Sequence, residues 1–234
     1  MKSYFKILMA VTVLGLGSLA CQALTGGNET ENDNPDLALP TAPVQSGGDV
    51  ILSDDFSTAR WGTGTDEDSA VEYVGSALNF DVYSDNYFVW STPDDEVYRD
   101  VHMEVTVINN DTHSTTAFGF MCNKAAGNDF YYLAITPAGQ YAIAKAVSGE
   151  TDLFLTNNDE WADSDLIPVN ADSYRVGADC GNGTLALYVD GQLIDSVSDL
   201  TYTSGRVAVF VWSGEEVGIT TDVSFDDFVM TELP

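Results

Sequence analysis

Apolar and polar residues alternate with a period of two along much of this chain, which is typical of β-strands. The clearest case is the run 101–107, where three valines and a methionine alternate with His102, Glu104 and Thr106. Such alternation predicts an antiparallel strand with one face in a core and the other in water. The chain has no comparable run with the 3.6-residue period of a long amphipathic helix.

Short turn-forming pairs separate the apolar runs. Gly75-Ser76 and Asp190-Gly191 each lie between two such runs, and Asp-Gly is a strong hairpin signal because both of its residues tolerate positive φ. About a dozen short strands, without the alternation of strand and helix that parallel sheets require, favour two packed antiparallel sheets. The sequence therefore predicts an all-β sandwich over residues 49–234.

The N-terminal segment, residues 1–20, has the pattern of a secretory signal. Lys2 and Lys6 precede a short apolar run, which is too short for a membrane span. Ala20-Cys21 resembles the bacterial lipobox, which implies a diacylglyceryl group on Cys21 and cleavage in front of it. Ordinary cleavage after Ala20 and a retained anchor are the alternatives. The expected location is the cell envelope of a bacterium, outside the cytoplasm.

Residues 21–48 contain many Asn, Asp, Glu, Gly and Pro residues and show almost no apolar periodicity. Such a composition cannot bury enough apolar surface to fold. This segment is predicted to be a disordered acidic tether. Contact with the membrane is expected only through the lipid anchor.

The net charge limits the choice of partner. The chain has 8 Lys and Arg residues against 37 Asp and Glu residues, which gives a formal charge of −29. Nucleic acid is excluded because its binding needs a basic surface, and direct docking to an anionic membrane is disfavoured for the same reason. An acidic, well-solvated surface is the simplest interpretation.

The cysteines agree with an extracytoplasmic location. If Cys21 carries a lipid, Cys122 and Cys180 remain, and an even remainder in an oxidising compartment predicts a disulfide. Two buried free thiols are one alternative. A metal site is another, although the CxxC spacing and nearby histidines are missing.

Seven segments together resemble the concanavalin A-like lectin/glucanase jelly roll, and within it the laminin-G-like and 3-keto-disaccharide hydrolase-like domains of bacterial extracytoplasmic proteins. They are 54–61, 119–123, 128–132, 174–180, 187–191, 204–207 and 225–228. The resemblance implies that the first and last strands are neighbours and that one sheet is concave and often holds carbohydrate. It does not choose among hydrolase, lectin and adhesion module, because the fold hosts all three.

Catalytic motifs are weak. Glucanases of this fold carry paired acids at alternate positions of one strand, but here Glu104 is followed at the second position by Thr106. Adjacent acids such as Asp94-Asp95 point to opposite faces of a strand and cannot form such a pair. The chain has no GxSxG motif and no zinc-binding histidine spacing. The protein is therefore expected to be non-catalytic.

No cofactor is expected to be required, although a structural Ca²⁺ fits the acids near the two chain ends. The resemblance implies such an ion near the first and last strands, where Asp54 or Asp55 would meet Asp226 or Asp227. The alternative is that these four acids are exposed turn residues or cap loops.

Sugar binding needs aromatic platforms with a few polar partners. The candidates are Trp90, Tyr132, Tyr141 and Trp212, with Lys145 and Arg175 as the polar partners. Five phenylalanines are assigned to the core, namely Phe118, Phe120, Phe130, Phe225 and Phe228. The sequence predicts a surface-tethered binding module for an extracellular glycan or protein. A glycoside hydrolase-like enzyme and a structural or adhesion protein of the envelope are the alternatives.

Overall fold

The computed structural model describes residues 48–125, 127–156, 160–216, 218 and 220–234. These residues form sixteen strands and no helix, so they contain no helix that could cross a membrane. The strands are β1 (Val50–Asp54), β2 (Gly64–Thr65), β3 (Ser69–Val74), β4 (Ala77–Val82), β5 (Phe88–Ser91), β6 (Val101–Asp111), β7 (Ala117–Lys124), β8 (Phe130–Ile135), β9 (Gln140–Ala146), β10 (Leu153–Phe154), β11 (Ala162–Asp163), β12 (Ser173–Gly181), β13 (Thr184–Val189), β14 (Gln192–Ser198), β15 (Arg206–Trp212) and β16 (Thr221–Glu232). The predicted signal peptide, Cys21 and almost all of the predicted tether lie outside the described residues.

The strands form two antiparallel sheets. The nine-stranded sheet has the order β14-β13-β12-β6-β16-β4-β3-β2, with β1 also paired to β16. The seven-stranded sheet has the order β10-β9-β8-β7-β15-β5, with β11 also paired to β9. The predicted all-β sandwich is confirmed, and its first and last strands are indeed neighbours.

The main core lies between the two sheets. On β6, Met103 and Val105 are fully buried, as the alternation predicts, and Phe118 and Phe120 of β7 belong to the same buried cluster. Burying each side chain of this size contributes roughly 1.5–3 kcal/mol. Cys122 of β7 and Cys180 of β12 form a disulfide with Cα atoms 6.4 Å apart, which confirms the predicted bridge and joins one sheet to the other.

Two-residue turns fix the register of the hairpins. Gly75 and Ser76 have φ values of 60° and 65°, and Asp190 and Gly191 have values of 50° and 75°. Two consecutive residues with positive φ match the right-handed twist of the flanking strands. Both predicted hairpins are therefore confirmed, and their turns join β3 to β4 and β13 to β14.

The central strands of the seven-stranded sheet, β7 and β8, are buried on both faces. Every residue of β7 and β8 is buried, which explains why these strands have continuous apolar sequences instead of an alternating pattern. The face turned away from the main core carries a second apolar cluster, made of Ala117, Met121, Phe130, Tyr132, Ala134, Ala144, Ala146, Ala208 and Phe210. We call this side of the sheet its outer face. Large aromatic side chains from the strand ends and loops pack over it.

Candidate functional site

A groove of about 720 Å³ runs over the outer face of the seven-stranded sheet. Its aromatic lining comes from β5, β8, β15 and the segments that follow β9. The rings are those of Phe88, Trp90, Phe130, Tyr132, Phe154, Trp161, Phe210 and Trp212. We call this feature the aromatic groove.

Strand pairing explains why so many rings share one side. On β5 and β15, Trp90 is paired with Phe210, and Phe88 is paired with Trp212. Residues paired in this way point to the same face of a sheet. The rings of Phe88 and Phe210 also stack, with centroids 4.6 Å apart. Two short strands thus place four aromatic side chains next to one another.

Contacts among Phe154, Trp161 and Trp212 complete the wall of the groove and fix the orientation of its rings. The indole rings of Trp161 and Trp212 are nearly parallel, at 11°, with centroids 6.5 Å apart, and Phe154 meets Trp161 edge-on. The indole nitrogen of Trp212 donates a hydrogen bond to Asn86 Oδ1 at 3.0 Å. Trp90 has 39% of its surface exposed. The groove therefore has oriented aromatic walls and one ring that reaches solvent.

The charged groups that line the groove are acids. Glu150, Asp152 and Glu215 line it, together with Asn86 and Asn128, and all five lie outside the strands. Burial raises the pKa of the Asp152 carboxyl, and a hydrogen bond with the Tyr132 side chain partly offsets that increase. The pKa of Tyr132 is raised as well, first by burial and then by the charge of Asp152.

One cation lies beside the groove. The Lys124 ammonium is 5.3 Å from the ring centroid of Trp90 and 5.7 Å from that of Phe130. It donates a hydrogen bond to the carbonyl of Gly127. Burial lowers the pKa of Lys124, and the charge of Arg206 lowers it further. Two of the groove's rings thus already contact a cation through their faces.

Three of the six predicted binding residues do not line the groove. Tyr141 and Lys145 lie on the opposite face of β9, because the alanines between and beyond them take the outer face. The Tyr141 hydroxyl donates to Asp195 at 3.0 Å, and Lys145 pairs with Asp199 at 2.9 Å. Tyr141 and Lys145 thus share one face of β9, and that face is turned away from the groove. Only Trp90, Tyr132 and Trp212 come together.

Arg175, the sixth candidate, belongs to the other sheet. Its guanidinium pairs with Glu104 at 3.2 Å and donates to Thr106 Oγ1 at 3.2 Å and to the carbonyl of Asp227 at 2.6 Å. These contacts lie on the outward side of β6 and β12, away from the aromatic groove. Glu104, the best single acid for catalysis in the sequence, is therefore held in an ion pair on that side.

Structures of known proteins share this architecture. A carbohydrate-binding module, CBM66 from Bacillus subtilis, superposes with a TM-score of 0.56 and 16% identity, covering 75% of this chain and 98% of that one. A Bacillus licheniformis beta-glucanase gives 0.55 and 15%, covering 81% and 100%. A Bacillus subtilis protein of unknown function with a galectin-like fold gives 0.57 and 12%, covering 80% and 97%.

The fold is the concanavalin A-like jelly roll. No family model and no curated protein matches the sequence. At these identities the likeness shows the fold alone. The narrower resemblance to laminin-G-like and 3-keto-disaccharide hydrolase-like domains stays a prediction.

The outward side of the jelly roll's nine-stranded sheet carries a chain of polar contacts. His102 hydrogen-bonds to Asp179 at 2.6 Å and lies 3.5 Å from Glu104, while Tyr188 donates to Asp179 at 2.7 Å. Burial alone would lower the pKa of His102. The hydrogen bonds and charges of the two acids outweigh burial and raise that pKa to about 9.

This histidine makes stability depend on pH. The pKa of His102 is about 9 in the folded chain against an ordinary value of 6.5, so the stabilisation is complete below pH 6.5 and is lost as pH rises through 9. We expect the free energy of unfolding to fall by about 1.5 kcal/mol over that window. This is less than the pKa shift alone implies, because solvent screens the interactions of His102 with the two acids. Urea unfolding across the window measures it. His102→Gln should remove this loss of stability, whereas His113→Gln should retain it. If the free energy of unfolding falls equally with pH in both variants, the loss does not come from His102.

The four candidate calcium ligands do not form a carboxylate cluster. Asp54 accepts hydrogen bonds from the Phe56 amide at 2.9 Å and from the Trp61 indole at 3.2 Å. Asp54, Asp55 and Asp227 share a depression with the Arg175 guanidinium, which repels a cation. The described part of the chain contains no group of three or more His, Cys, Asp or Glu residues suited to a metal ion. These side chains do not fit Ca²⁺ as predicted, and the ion stays untested.

Chelation provides that test. Because the Arg175 guanidinium lines this depression and repels a cation, we expect EDTA to leave the melting temperature of the full chain equal to that in excess calcium. Differential scanning calorimetry measures both. A lower melting temperature in EDTA, restored by calcium and lost in an Asp54→Asn variant, would contradict this expectation and support the calcium site.

Several groove residues were not among the sequence candidates. They are Phe88, Phe154, Trp161, Phe210 and Asp152. Phe130, which the sequence assigns to the core, is buried in the second apolar cluster at 8% exposure and also lines the groove. A strand places residues two positions apart on one face, so this spacing predicts that Phe88 shares a face with Trp90 and Phe210 with Trp212. For Trp161 and Asp152, which lie outside the strands, the sequence gives no periodic signal.

Proposed function

We propose that the aromatic groove binds carbohydrate without transforming it. The observation that carries this proposal is the convergence of Trp90, Tyr132 and Trp212 on one side of the seven-stranded sheet. The apolar faces of sugar rings pack on aromatic side chains, and nearby polar groups bind the hydroxyls. Asn86 and Asn128 supply such groups here. The volume of about 720 Å³ lies within the range of ligand sites.

Proteins of the same fold support the proposal. The similar structures include one named as a carbohydrate-binding module and one named as a beta-glucanase. Both names concern glycans, although neither ligand can be transferred at 16% or 15% identity. The proposed partner is thus an extracellular glycan.

The floor of the groove, which is the outer face of β7 and β8, favours a binding role over hydrolysis. Glycosidases place two carboxyl groups on either side of the scissile bond. The outer-face positions of the central strands hold Ala117 and Met121 on β7, and Tyr132 and Ala134 on β8. The acids of the groove lie in loops instead. Hydrolysis is the second candidate because partial desolvation raises the pKa of the Asp152 carboxyl, which is the direction that a general acid requires.

Loss of an aromatic wall should weaken binding strongly. We expect Trp212→Ala and Trp90→Ala each to reduce the affinity for any glycan that binds the full chain by roughly tenfold, because each removes a stacking surface. A glycan array identifies the ligand, and titration calorimetry measures the change. Tyr83→Ala is the matched control, because Tyr83 is 45% exposed and lies outside the groove.

The outcomes separate the candidate functions. Unchanged affinity in both tryptophan variants would contradict the proposed site. Release of reducing sugar from a bound glycan, abolished by Asp152→Asn, would favour the enzyme. An array without any bound glycan would favour the structural or adhesion role.

We also propose that the domain is lipid-anchored to a bacterial envelope through Cys21, which lies outside the described residues. This rests on the pattern of residues 1–21. Incorporation of labelled fatty acid into the full chain, lost in Cys21→Ser, is the expected result. A secreted, unlabelled product would contradict it.

A further inference from the structure

The charged side chains that line the aromatic groove are all acidic, although Lys124 lies beside it. Among the described residues that line it, the charged ones are Glu150, Asp152 and Glu215, and none is Lys, Arg or His. An anionic glycan would meet three exposed carboxyl groups of the same sign and would be repelled by them. A neutral sugar would offer these acids hydroxyl donors but no opposite charge. The lining therefore complements a positive charge.

The aromatic rings favour the same charge. The face of an indole or phenyl ring attracts cations, and tryptophan does so most strongly. The protein already shows this at the edge of the groove, where the Lys124 ammonium lies over the rings of Trp90 and Phe130. Trp212 and Trp161, farther along the groove, stack on each other and line the cavity together with Glu215. Rings and acids thus offer a ligand cation two kinds of attraction.

Asp152 has the most to gain from a cationic ligand. It lies within contact of the Tyr132 side chain in the wall of the groove, and burial raises its pKa. The charged carboxylate is therefore less stable there than in water. An ammonium group beside it would supply the missing counter-charge.

Resting on the sugar-binding function proposed above, we propose that the groove takes a positively charged sugar, namely an oligosaccharide of hexosamine units with free amino groups. The pyranose rings stack on the walls formed by Trp90 and Trp212, and the ammonium groups pair with the carboxylates of Glu150, Asp152 and Glu215. No covalent step is involved.

Three β-1,4-linked tetrasaccharides test this inference on the full chain. They consist of glucosamine, N-acetylglucosamine or glucose, so they share a ring and differ at one position. Titration calorimetry in mildly acidic buffer, where the amines are protonated, gives the three affinities. We expect the glucosamine tetramer to bind at least about tenfold more tightly than the glucose tetramer, with the difference shrinking at high salt.

Variants distinguish the groove from general attraction to an acidic protein. Glu150→Gln combined with Glu215→Gln should reduce the preference for the glucosamine tetramer to about threefold or less. Glu67→Gln removes an exposed acid elsewhere and should keep the full preference. Circular dichroism confirms folding of each variant. If Trp212→Ala still binds the glucosamine tetramer, the binding is general attraction to the acidic surface of the protein. This result would overturn the inference.

The remaining outcomes separate this inference from the function on which it rests. Equal or tighter binding of the glucose or N-acetylglucosamine tetramer, weakened by Trp212→Ala, overturns the cationic ligand and leaves sugar binding in the groove intact. Failure of all three tetramers together with a blank glycan array overturns both.

Discussion

Replacing Cys122 and Cys180 together by alanine is expected to lower the free energy of unfolding by about 4 kcal/mol. The bridge closes a loop between positions 58 residues apart, and in the chain-entropy model a cross-link of that length restricts the unfolded chain by this amount. Both sulfurs are fully buried in the main core, so the cost of the small cavities left behind adds to the loss. Guanidinium unfolding measures the difference, with a steeper dependence on denaturant expected because the unfolded chain is less compact without the bridge.

Reduction of the disulfide separates the effect of the cross-link on stability from the effect of the cavities. The unmodified chain in excess thiol keeps every side chain but loses the bond, so we expect most of the loss to appear there. The double alanine variant should not respond to thiol at all. If reduction leaves the unfolding midpoint unchanged, the bridge does not stabilise the sandwich as described.

The sequence predicts the nine-stranded sheet well because one of its faces meets water. On β6, His102, Glu104 and Thr106 are partly exposed while the residues between them are buried, so the alternation marks both the strand and its orientation. The hairpins at Gly75-Ser76 and Asp190-Gly191 follow from local backbone preferences. Both kinds of signal are contained in a few neighbouring residues.

Orientation in the seven-stranded sheet cannot be predicted in this way, because both of its faces are apolar. On β9, Ala142 and Ala144 occupy the outer face while Tyr141 and Lys145 point inward, and no solvent-facing pattern distinguishes the two. Because the side chains of Tyr141 and Lys145 end in polar groups, the sequence alone predicts that they are surface residues. In the structure their polar ends reach acids of the opposite layer, Asp195 and Asp199.

Tertiary placement decides the rest of the site. Trp161 and Asp152 reach the groove from segments without regular spacing, and only the folding of those segments over the sheet brings them to Trp212 and Tyr132. The pairing of Arg175 with Glu104 depends likewise on the register between β6 and β12. Nothing in either strand alone specifies that register, so the sequence cannot show which protein groups Arg175 contacts.

Gly119 shows how closely the floor of the aromatic groove is packed, and Gly119→Ala is expected to lower the free energy of unfolding by at least about 3 kcal/mol. An added Cβ would lie 2.1 Å from the carbonyl oxygen of Leu133 on the neighbouring strand. This contact is with backbone, so no side-chain rotation relieves it, and β7 and β8 must move apart. Tyr132 lies on β8, so glycan affinity should decrease along with stability.

Gly64→Ala provides the matched control, because an added Cβ at Gly64 meets nothing within 4 Å. Its effect should stay within about 0.5 kcal/mol, since it tests the general cost of replacing a strand glycine without the close approach. Thermal and urea unfolding of both variants, with glycan titration of whichever remains folded, make the comparison. Equal stability of the two variants would mean that β7 and β8 are not in the close contact described, and the groove would then lack the rigid floor on which its aromatic walls are set.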